Sequence, residues 1–428
     1  MPLVIVLLAN LVGQAAVYSQ DAGIDFTPDS PLYLEAGKAI ASGFNLFNPW
    51  RTPGYPAFLA AVGTFVGDPA SDALVLAQTV LSVLTSVEGY VLSYRLTHSR
   101  AAAIVTAALI GTNLHVIDWE RAVMTETLAT WETVTILLVF HLWLTKTRTR
   151  PFVAFAIAFG ALSVLAILTR PTFLYLPALL LAIWLMAKWQ SGDIRITLGV
   201  TALMVLGIYI PIWAYASVND RLHPGAGFTA VSNVNLFGKV IQYRMQNDAE
   251  PTPRFAEIRF LTDRYVAAGG ANPYEFGAQH PDLVGPYYSH AAVFSRSAIL
   301  RNPIAFIGDT IPYSYFLWLG EPYRWAPSFT PPWIDALTTL SLATYRLYLL
   351  LPAVLLFGWL ALRRTRVEWI VLFSLLAAVS GMILTSTMFS YTDVGRLREP
   401  GDPLMIVAGC ASLTFAARAV IARAKARL

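Results

Sequence analysis

The chain has 428 residues, of which 56% are apolar and 13% are charged, whereas ordinary soluble domains carry about 25% charged residues. This balance excludes an ordinary soluble protein, because the sequence repeats apolar runs of roughly 17–26 residues, the length that a bilayer requires. The net charge of +4 is small, so the placement of the charges is more informative than their sum. The single cysteine, Cys410, excludes an intrachain disulfide and a cysteine-based metal cluster.

Ten apolar runs predict ten transmembrane helices, since backbone groups in lipid must form their hydrogen bonds within the segment. The predicted spans are residues 3–19, 73–94, 101–117, 124–144, 151–168, 172–189, 196–216, 337–362, 367–389 and 403–421. The first run has no basic residue before it, which favours a retained anchor over the alternative of a cleaved signal peptide. The predicted fold class is therefore an all-α polytopic membrane protein.

The short basic clusters all fall on one side of the membrane when the N-terminus is placed inside. They contain Arg95, His98, Arg100, Lys146, Arg148, Arg150, Lys188, Arg195, Arg363, Arg364, Arg366, Arg423, Lys425 and Arg427. The positive-inside rule assigns that side to the cytoplasm, so both termini are predicted to be cytoplasmic in a cell (inner) membrane. This topology requires 54–67 to form an interfacial helix, and 303–319, which contains Asp309 and Pro312, not to span.

A long polar segment, residues 217–336, is predicted on the outer side between the seventh and eighth spans. Its roughly 120 residues exceed what a connection needs, so we expect a small extracytoplasmic domain. Within it, helices are predicted at 254–267 and 289–301. The chain then divides into an N-terminal transmembrane module (1–216, with its first outer loop at 20–72), this segment, and C-terminal transmembrane helices (337–428).

Polar residues of two types gather at the predicted outer ends of the helices. The acids are Asp29, Asp118, Glu120 and Glu126, and the arginines are Arg51, Arg121, Arg170, Arg396 and Arg398. Guanidinium groups hold phosphate oxygens in a fixed fork geometry, and a carboxylate serves as a general base or a metal ligand. The pattern favours an anionic, lipid-borne substrate.

Five short motifs in order resemble those of the GT-C glycosyltransferases, and more narrowly the bacterial relatives of the protein mannosyltransferases and aminoarabinose transferases (glycosyltransferase family 39-like). They begin at Asp29 (DSxxYL), Arg51 (RTPGYP), Met124 (MTETL), Leu168 (LTRP) and Arg396 (RLREPGDP). The resemblance covers the first 190 residues best and recurs at 295–306 and 390–410, whereas 217–290 matches nothing in the family. The fold it implies is a GT-C-type bundle of about ten transmembrane helices with interfacial helices in the first outer loop.

The resemblance implies transfer of a sugar from a polyprenyl-phosphate donor to a hydroxyl group on the outer side, usually with inversion. Asp29 matches the family's general base, and Glu126 matches an acid that assists or helps to hold a metal. The matching donor phosphate-binding residues are Arg51, Arg170, Arg396 and Arg398, and Tyr33, Tyr55 and Glu120 are expected to support them or to contact the acceptor. The extra Glu399 and Asp402 depart from the family's neutral spacing, so one arginine of the last pair is expected to pair internally.

The same resemblance leaves the cofactor and the acceptor open. It points to no definite cofactor, and whether a divalent metal (Mg²⁺ or Mn²⁺) binds to Asp29 and Glu126 stays open. Expected partners are the lipid-linked donor, membrane lipid, and a glycan, lipid or protein acceptor, with no nucleic acid. The prenyl tail needs an apolar groove, for which the candidates are Phe173, Tyr175, Leu176, Tyr345 and Leu349.

Structural explanations compete with these assignments. Asp29 fits a helix N-cap, Glu126 suits a helix start because of the macrodipole, and Arg170 could snorkel. A transporter or flippase of a lipid-linked or anionic solute is the rival function, since Glu88 and Glu132 lie inside predicted spans, where charge is costly. A scaffold that presents 217–336 is a third hypothesis. We see no internal repeat of the kind that transporters often show.

Overall fold

The protein is almost entirely helical in the residues that the computed structural model describes, which are 2–20, 23–145, 149–189, 194–319, 331–346, 367–391 and 394–425. Its only β pairing in these ranges is an isolated parallel bridge between Asp25 and Ala122. The all-α fold class is therefore confirmed.

Twenty α-helices, numbered here in chain order, lie in these described ranges. They are α1 (Pro2–Tyr18), α2 (Ser30–Gly43), α3 (Gly54–Val66), α4 (Asp72–Thr97), α5 (Arg100–Gly111), α6 (Leu114–Ile117), α7 (Glu126–Thr145), α8 (Thr149–Thr169), α9 (Tyr175–Trp189), α10 (Ile194–Leu222), α11 (Ala230–Gln242), α12 (Pro253–Ala267), α13 (Pro273–Gln279), α14 (Pro281–Val284), α15 (Ser289–Arg301), α16 (Pro303–Leu319), α17 (Pro332–Tyr345), α18 (Val367–Phe389), α19 (Val394–Arg398) and α20 (Asp402–Lys425).

Seven of the described helices (α4, α7, α8, α9, α10, α18 and α20) are long and apolar enough to cross a membrane. An eighth candidate is α5 together with Leu114–Arg121, the two parts being bent by 48°. The helices predicted at 73–94, 124–144 and 367–389 are confirmed, while α10 continues past the predicted end at 216 to Leu222. Most of the predicted span 337–362, including Leu349, lies outside the described residues, as do the basic residues Lys146, Arg148, Arg363, Arg364, Arg366 and Arg427.

The core of the bundle lies between α4, α7, α8, α9, α18 and α20. Trp143 of α7 and Trp184 of α9 stack there with ring centroids 4.8 Å apart. Small residues allow other helices to approach closely, as is common where lipid supplies no driving force for association. At the contact of α1 with α5, a Cβ added to Gly13 would lie 2.3 Å from the carbonyl oxygen of Gly111.

The 217–336 segment has a small apolar core of its own. In this core the rings of Phe237 from α11, Phe276 from α13 and Phe294 from α15 pack together. The helices predicted at 254–267 and 289–301 are confirmed as α12 and α15. The apolar run 303–319 forms α16, a 17-residue helix with Pro312 inside. The predicted outer loop, residues 20–72, contains two helices, α2 and α3, in its described part.

Candidate active site

Asp29 does not cap α2 with its side chain, so the capping prediction was wrong. The residue precedes the helix with φ −83° and ψ −22° and makes no side-chain capping hydrogen bond. Its carboxylate instead accepts a hydrogen bond from Arg51 Nη2, with 2.5 Å between Nη2 and Oδ1. The guanidinium attracts the carboxylate more strongly than a backbone N–H group does, because both partners are ionised.

Backbone contacts hold the first loop against the start of α7. Asp25 N donates to Arg121 O and Val123 N donates to Asp25 O, at 2.8 and 3.1 Å. Ser30 Oγ, beside Asp29, also donates to Val123 O at 3.1 Å. These bonds join two regions about a hundred positions apart in sequence, and they bring Asp29 toward Glu126.

A glycine brings the Arg51 motif against the end of α8. A Cβ added to Gly54 would lie 2.5 Å from both the backbone nitrogen and the hydroxyl oxygen of Thr169. Only a residue without a side chain permits that approach. The close contact sets the loop of Arg51 beside Arg170, which follows Thr169 directly.

Tyrosines hold the Arg51 side chain in place. Its guanidinium carbon lies 4.4 Å from the centroid of the Tyr33 ring, a cation–π geometry. Tyr33 in turn meets Tyr55 edge to face at 5.3 Å, and the Tyr55 hydroxyl donates to Gln78 at 3.3 Å. Burial lowers the pKa of Arg51, but Tyr33 and Asp29 raise that pKa by more, so the side chain remains a cation.

Arg396 links the two carboxylates predicted to be catalytic. Its Nη2 lies 3.7 Å from Asp29 Oδ2 and its Nε lies 3.1 Å from Glu126 Oε1. Arg170 Nη1 lies 3.7 Å from the same Glu126 oxygen. We call Asp29, Glu126, Arg51, Arg170 and Arg396 the charge network. Its three cations and two anions leave one positive charge in excess, which suits an anionic ligand.

The two carboxylates of the charge network differ in exposure. The Asp29 side chain is 35% exposed, whereas that of Glu126 is 1% exposed and lies between Arg170 and Arg396. A base must reach the group from which it takes a proton. Asp29 meets this requirement, and the enclosed Glu126 is better suited to holding the two arginines in position.

The charge network does not fit a divalent metal as it stands. Within the described ranges no group of three or more His, Cys, Asp or Glu side chains is placed to hold a metal ion. The guanidinium of Arg396 contacts both Asp29 and Glu126, the two predicted ligands. A protein cation therefore already compensates both carboxylates, and a metal bound by the two would have to displace Arg396.

Other predicted site residues lie in separate contacts. Glu120 is buried and accepts hydrogen bonds from Gln14 and Thr79, which ties α1 to α4. Arg121 pairs with Asp118 at 3.1 Å. Arg398 is 1% exposed and lies 3.6 Å from Asp402, which confirms that one arginine of the last pair bonds internally.

The acids inside the spans bond to hydroxyl groups of neighbouring helices. Thr135 donates to Glu88 and Thr169 donates to Glu132, each at 2.8 Å. Both bonds cross between helices, α7 to α4 and α8 to α7. The bond from Thr169 agrees with the pairing role for Glu132.

The predicted tail-groove residues are packed in the protein interior. Phe173 and Leu176 are each 1% exposed in the main core. The Tyr175 hydroxyl donates to the carbonyl oxygen of Ala378 on α18. The groove assignment is therefore wrong for Phe173 and Leu176, because their side chains are enclosed by the protein. The side chain of Tyr345 lies outside the described residues.

One residue near the charge network was missed from the sequence. Tyr274, on α13 of the 217–336 segment, lies within electrostatic range of Arg51 and Asp29. Burial raises the pKa of Tyr274, while Arg51 opposes that rise and Asp29 adds to it. Tyr274 is a single tyrosine in a segment without recognisable motifs, so nothing in the sequence indicates that it lies near Arg51 and Asp29.

The chain is thus a multi-pass membrane protein whose fold is that of GT-C glycosyltransferases. No family model and no curated protein matches it. It is similar to the oligosaccharyltransferase AglB from Archaeoglobus fulgidus in complex with an inhibitory peptide and a dolichol-phosphate, with a TM-score of 0.51, 13% identity, 97% of this chain covered and 50% of that chain. It is also similar to a structure of the Archaeoglobus fulgidus oligosaccharyltransferase in complex with Zn and sulfate. The TM-score is 0.52 and the sequence identity 13%, with 96% of this chain and 49% of that chain covered.

ArnT from Cupriavidus metallidurans bound to undecaprenyl phosphate is a further similar structure, with a TM-score of 0.41 and 16% identity, covering 93% of this chain and 77% of that chain. The chain spans about half the length of the archaeal oligosaccharyltransferase. At 13% identity, the likeness to the archaeal oligosaccharyltransferase establishes the fold alone.

Proposed function

We propose that the protein is a glycosyltransferase that moves a sugar from a polyprenyl-phosphate donor to an acceptor hydroxyl on the extracytoplasmic side, with inversion at the anomeric carbon. The observation that carries the proposal is the charge network, in which Asp29 and Glu126 are joined to Arg51, Arg170 and Arg396 at one end of a GT-C bundle. The dolichol-phosphate of the archaeal oligosaccharyltransferase complex supports the same donor class.

The arginines bind the phosphate of the donor. Arg170 Nη1 lies 3.7 Å from Glu126 Oε1 and makes no hydrogen bond to any described residue, so a phosphate oxygen that enters between the two side chains would receive its hydrogen bond. Arg396, 19% exposed, lies between Glu126 and the more accessible Asp29. As the bond from the anomeric carbon to the phosphate oxygen breaks, negative charge grows on that oxygen, and preorganised guanidinium groups stabilise it.

Asp29 takes the proton of the acceptor. The hydroxyl oxygen attacks the anomeric carbon from the side opposite the departing phosphate, and its proton passes to the Asp29 carboxylate. Arg51 holds this carboxylate in one orientation through its short hydrogen bond. A single displacement inverts the anomeric centre. Every step uses side chains of the chain itself.

The orientation of the site follows from the basic residues. Arg95, His98 and Arg100 lie at the end of α4 and the start of α5, and Lys188 lies near the end of α9. Glu126 begins α7 and Arg170 follows α8, so both belong to the opposite helix ends. The positive-inside rule makes the basic ends cytoplasmic and the charge network extracytoplasmic.

The test is a donor panel with purified protein in lipid vesicles. Polyprenyl-phosphate hexoses and pentoses are supplied with glycan, lipid and peptide acceptors, in EDTA, in Mg²⁺ and in Mn²⁺, and released polyprenyl phosphate is measured. We expect release from at least one donor, at the same rate in EDTA because Arg396 already compensates the carboxylates. Uptake of intact donor without cleavage would support a flippase and reject the proposal.

A further inference from the structure

Three tyrosines from two distant parts of the chain meet beside the charge network. The Tyr274 ring of α13 lies 6.2 Å from the Tyr288 ring at 72° and 6.3 Å from the Tyr391 ring at 54°. We call these residues the tyrosine cluster. Tyr274 is 43% exposed as a whole residue, although its hydroxyl group is largely enclosed, so part of the side chain is available to a ligand. Tyr391 lies five positions before Arg396, which joins Asp29 to Glu126.

The tyrosine cluster is held by specific contacts. The Tyr391 hydroxyl donates to Asn272 Oδ1 and the Tyr288 hydroxyl donates to Pro273 O, each at 3.3 Å. A Cβ added to Gly238 would lie 2.5 Å from Cγ of Tyr391, so α11 presses directly against that ring. The rings therefore form a preorganised surface, and their positions do not depend on a ligand.

The backbone beside the cluster adopts an uncommon conformation. Tyr287 and Tyr288 have φ values of 51° and 59°, in the left-handed region that bulky residues rarely enter. Such conformations persist where the surrounding structure enforces them, and they are frequent at ligand sites. Here the conformation directs Tyr288 toward Tyr274, and Tyr287 toward Trp50 at 6.1 Å. Trp50 directly precedes Arg51 of the charge network.

We propose that the tyrosine cluster is an acceptor subsite that binds a neutral pyranose ring, so that the acceptor is a glycan. This inference rests on the proposed function and specifies its acceptor. Tyrosine offers a broad, rigid apolar face with a polar group at its edge, which matches a sugar ring with its C–H faces and hydroxyl edges. The cluster brings a bound ring beside Asp29, the proposed base.

The chemistry of the cluster disfavours the other acceptors. Its three side chains carry no charge at neutral pH, whereas an anionic lipid headgroup would need cations beyond those that bind the donor. Extended peptides are commonly bound by adding a strand to a sheet edge. The residues described here form helices and one isolated bridge, which provide no such edge.

The experiment measures binding to the detergent-solubilised full-length chain by saturation-transfer NMR. The probes are the methyl pyranosides of glucose, galactose and mannose, a neutral serine-containing hexapeptide, and polyprenyl phosphate as an independent test of the donor site. Variants are Tyr274→Ala, Tyr274→Phe and Tyr391→Leu. The matched control is Phe260→Ala, which removes a 60% exposed ring on α12 of the same segment.

We expect at least one pyranoside to bind wild type. Tyr274→Ala and Tyr391→Leu should weaken that binding about tenfold, or ~1.4 kcal/mol, while Tyr274→Phe and Phe260→Ala stay within about threefold, ~0.7 kcal/mol. Polyprenyl phosphate should bind all variants equally. Absence of pyranoside binding, equal binding by Tyr274→Ala, or Tyr274-dependent binding of the hexapeptide overturns the subsite. If wild type binds a pyranoside but not polyprenyl phosphate, the proposed donor is wrong and the proposed sugar subsite is retained.

Discussion

The carboxylates of the charge network and those inside the helix bundle have different kinds of partner. Asp29 and Glu126 face three arginines, so their partners are charged. Glu88, Glu120 and Glu132 receive hydrogen bonds from threonine hydroxyls, joined at Glu120 by the Gln14 amide. Both groups of acids occur at helix contacts, and only the first has a surplus of cations.

This difference separates a site from a structural contact. A buried ion pair is a weak contributor to stability, because desolvation offsets much of the attraction. Three arginines around two acids are therefore poorly explained by stability alone, whereas an anionic ligand would use the excess positive charge. The interior acids receive hydrogen bonds from neutral hydroxyl groups, which offer no comparable capacity for an anion.

Replacing Asp29 should have the largest effect. Asp29→Asn keeps the shape of the side chain and removes the base, so transfer should fall by about 10²–10⁴-fold. Release of polyprenyl phosphate gives the rate, and binding of polyprenyl phosphate serves as the control and should change little. Full activity in this variant would remove Asp29 from the role of base.

Replacing the network arginines should have the next largest effect. Arg170→Ala and Arg396→Ala each remove charge-assisted hydrogen bonds to phosphate, worth about 1.5–3 kcal/mol, so donor affinity should fall by roughly 10–150-fold. Lysine at either position keeps the positive charge but lacks the planar guanidinium group with its paired donors, so it should restore only part of the lost donor affinity. Arg264→Ala on α12 is the control. An unchanged donor affinity in Arg170→Ala would exclude Arg170 from the site.

Replacing the interior acids should have the smallest effect. In Glu132→Gln and Glu88→Gln an amide oxygen can still accept the threonine hydroxyl, so stability should change by about 1 kcal/mol or less. Transfer should stay within about threefold of wild type, a barrier change of ~0.7 kcal/mol. Thermal unfolding in detergent and the donor assay measure the two quantities. Loss of activity in Glu132→Gln, with folding intact, would extend the site inward and revive the transporter hypothesis.

The sequence named all five members of the charge network but could not choose between close neighbours. Arg396 and Arg398 are two positions apart on α19, and side chains at i and i+2 of a helix do not share a face. The structure directs Arg396 to Asp29 and Glu126, and Arg398 to Asp402. The sequence also did not reveal that Asp29 lacks a capping bond, since its pattern fits a cap equally well.

The sequence by itself determined the apolar helices, the two helices of the first loop and the helical character of 254–267 and 289–301. These features depend on local hydrophobicity and periodicity, which each segment carries on its own. Only the tertiary structure decided which arginine joins the two acids, where the groove candidates pack, and that Tyr274 approaches Asp29. Those contacts connect residues up to hundreds of positions apart, and their geometry comes from helix packing, which no local pattern encodes.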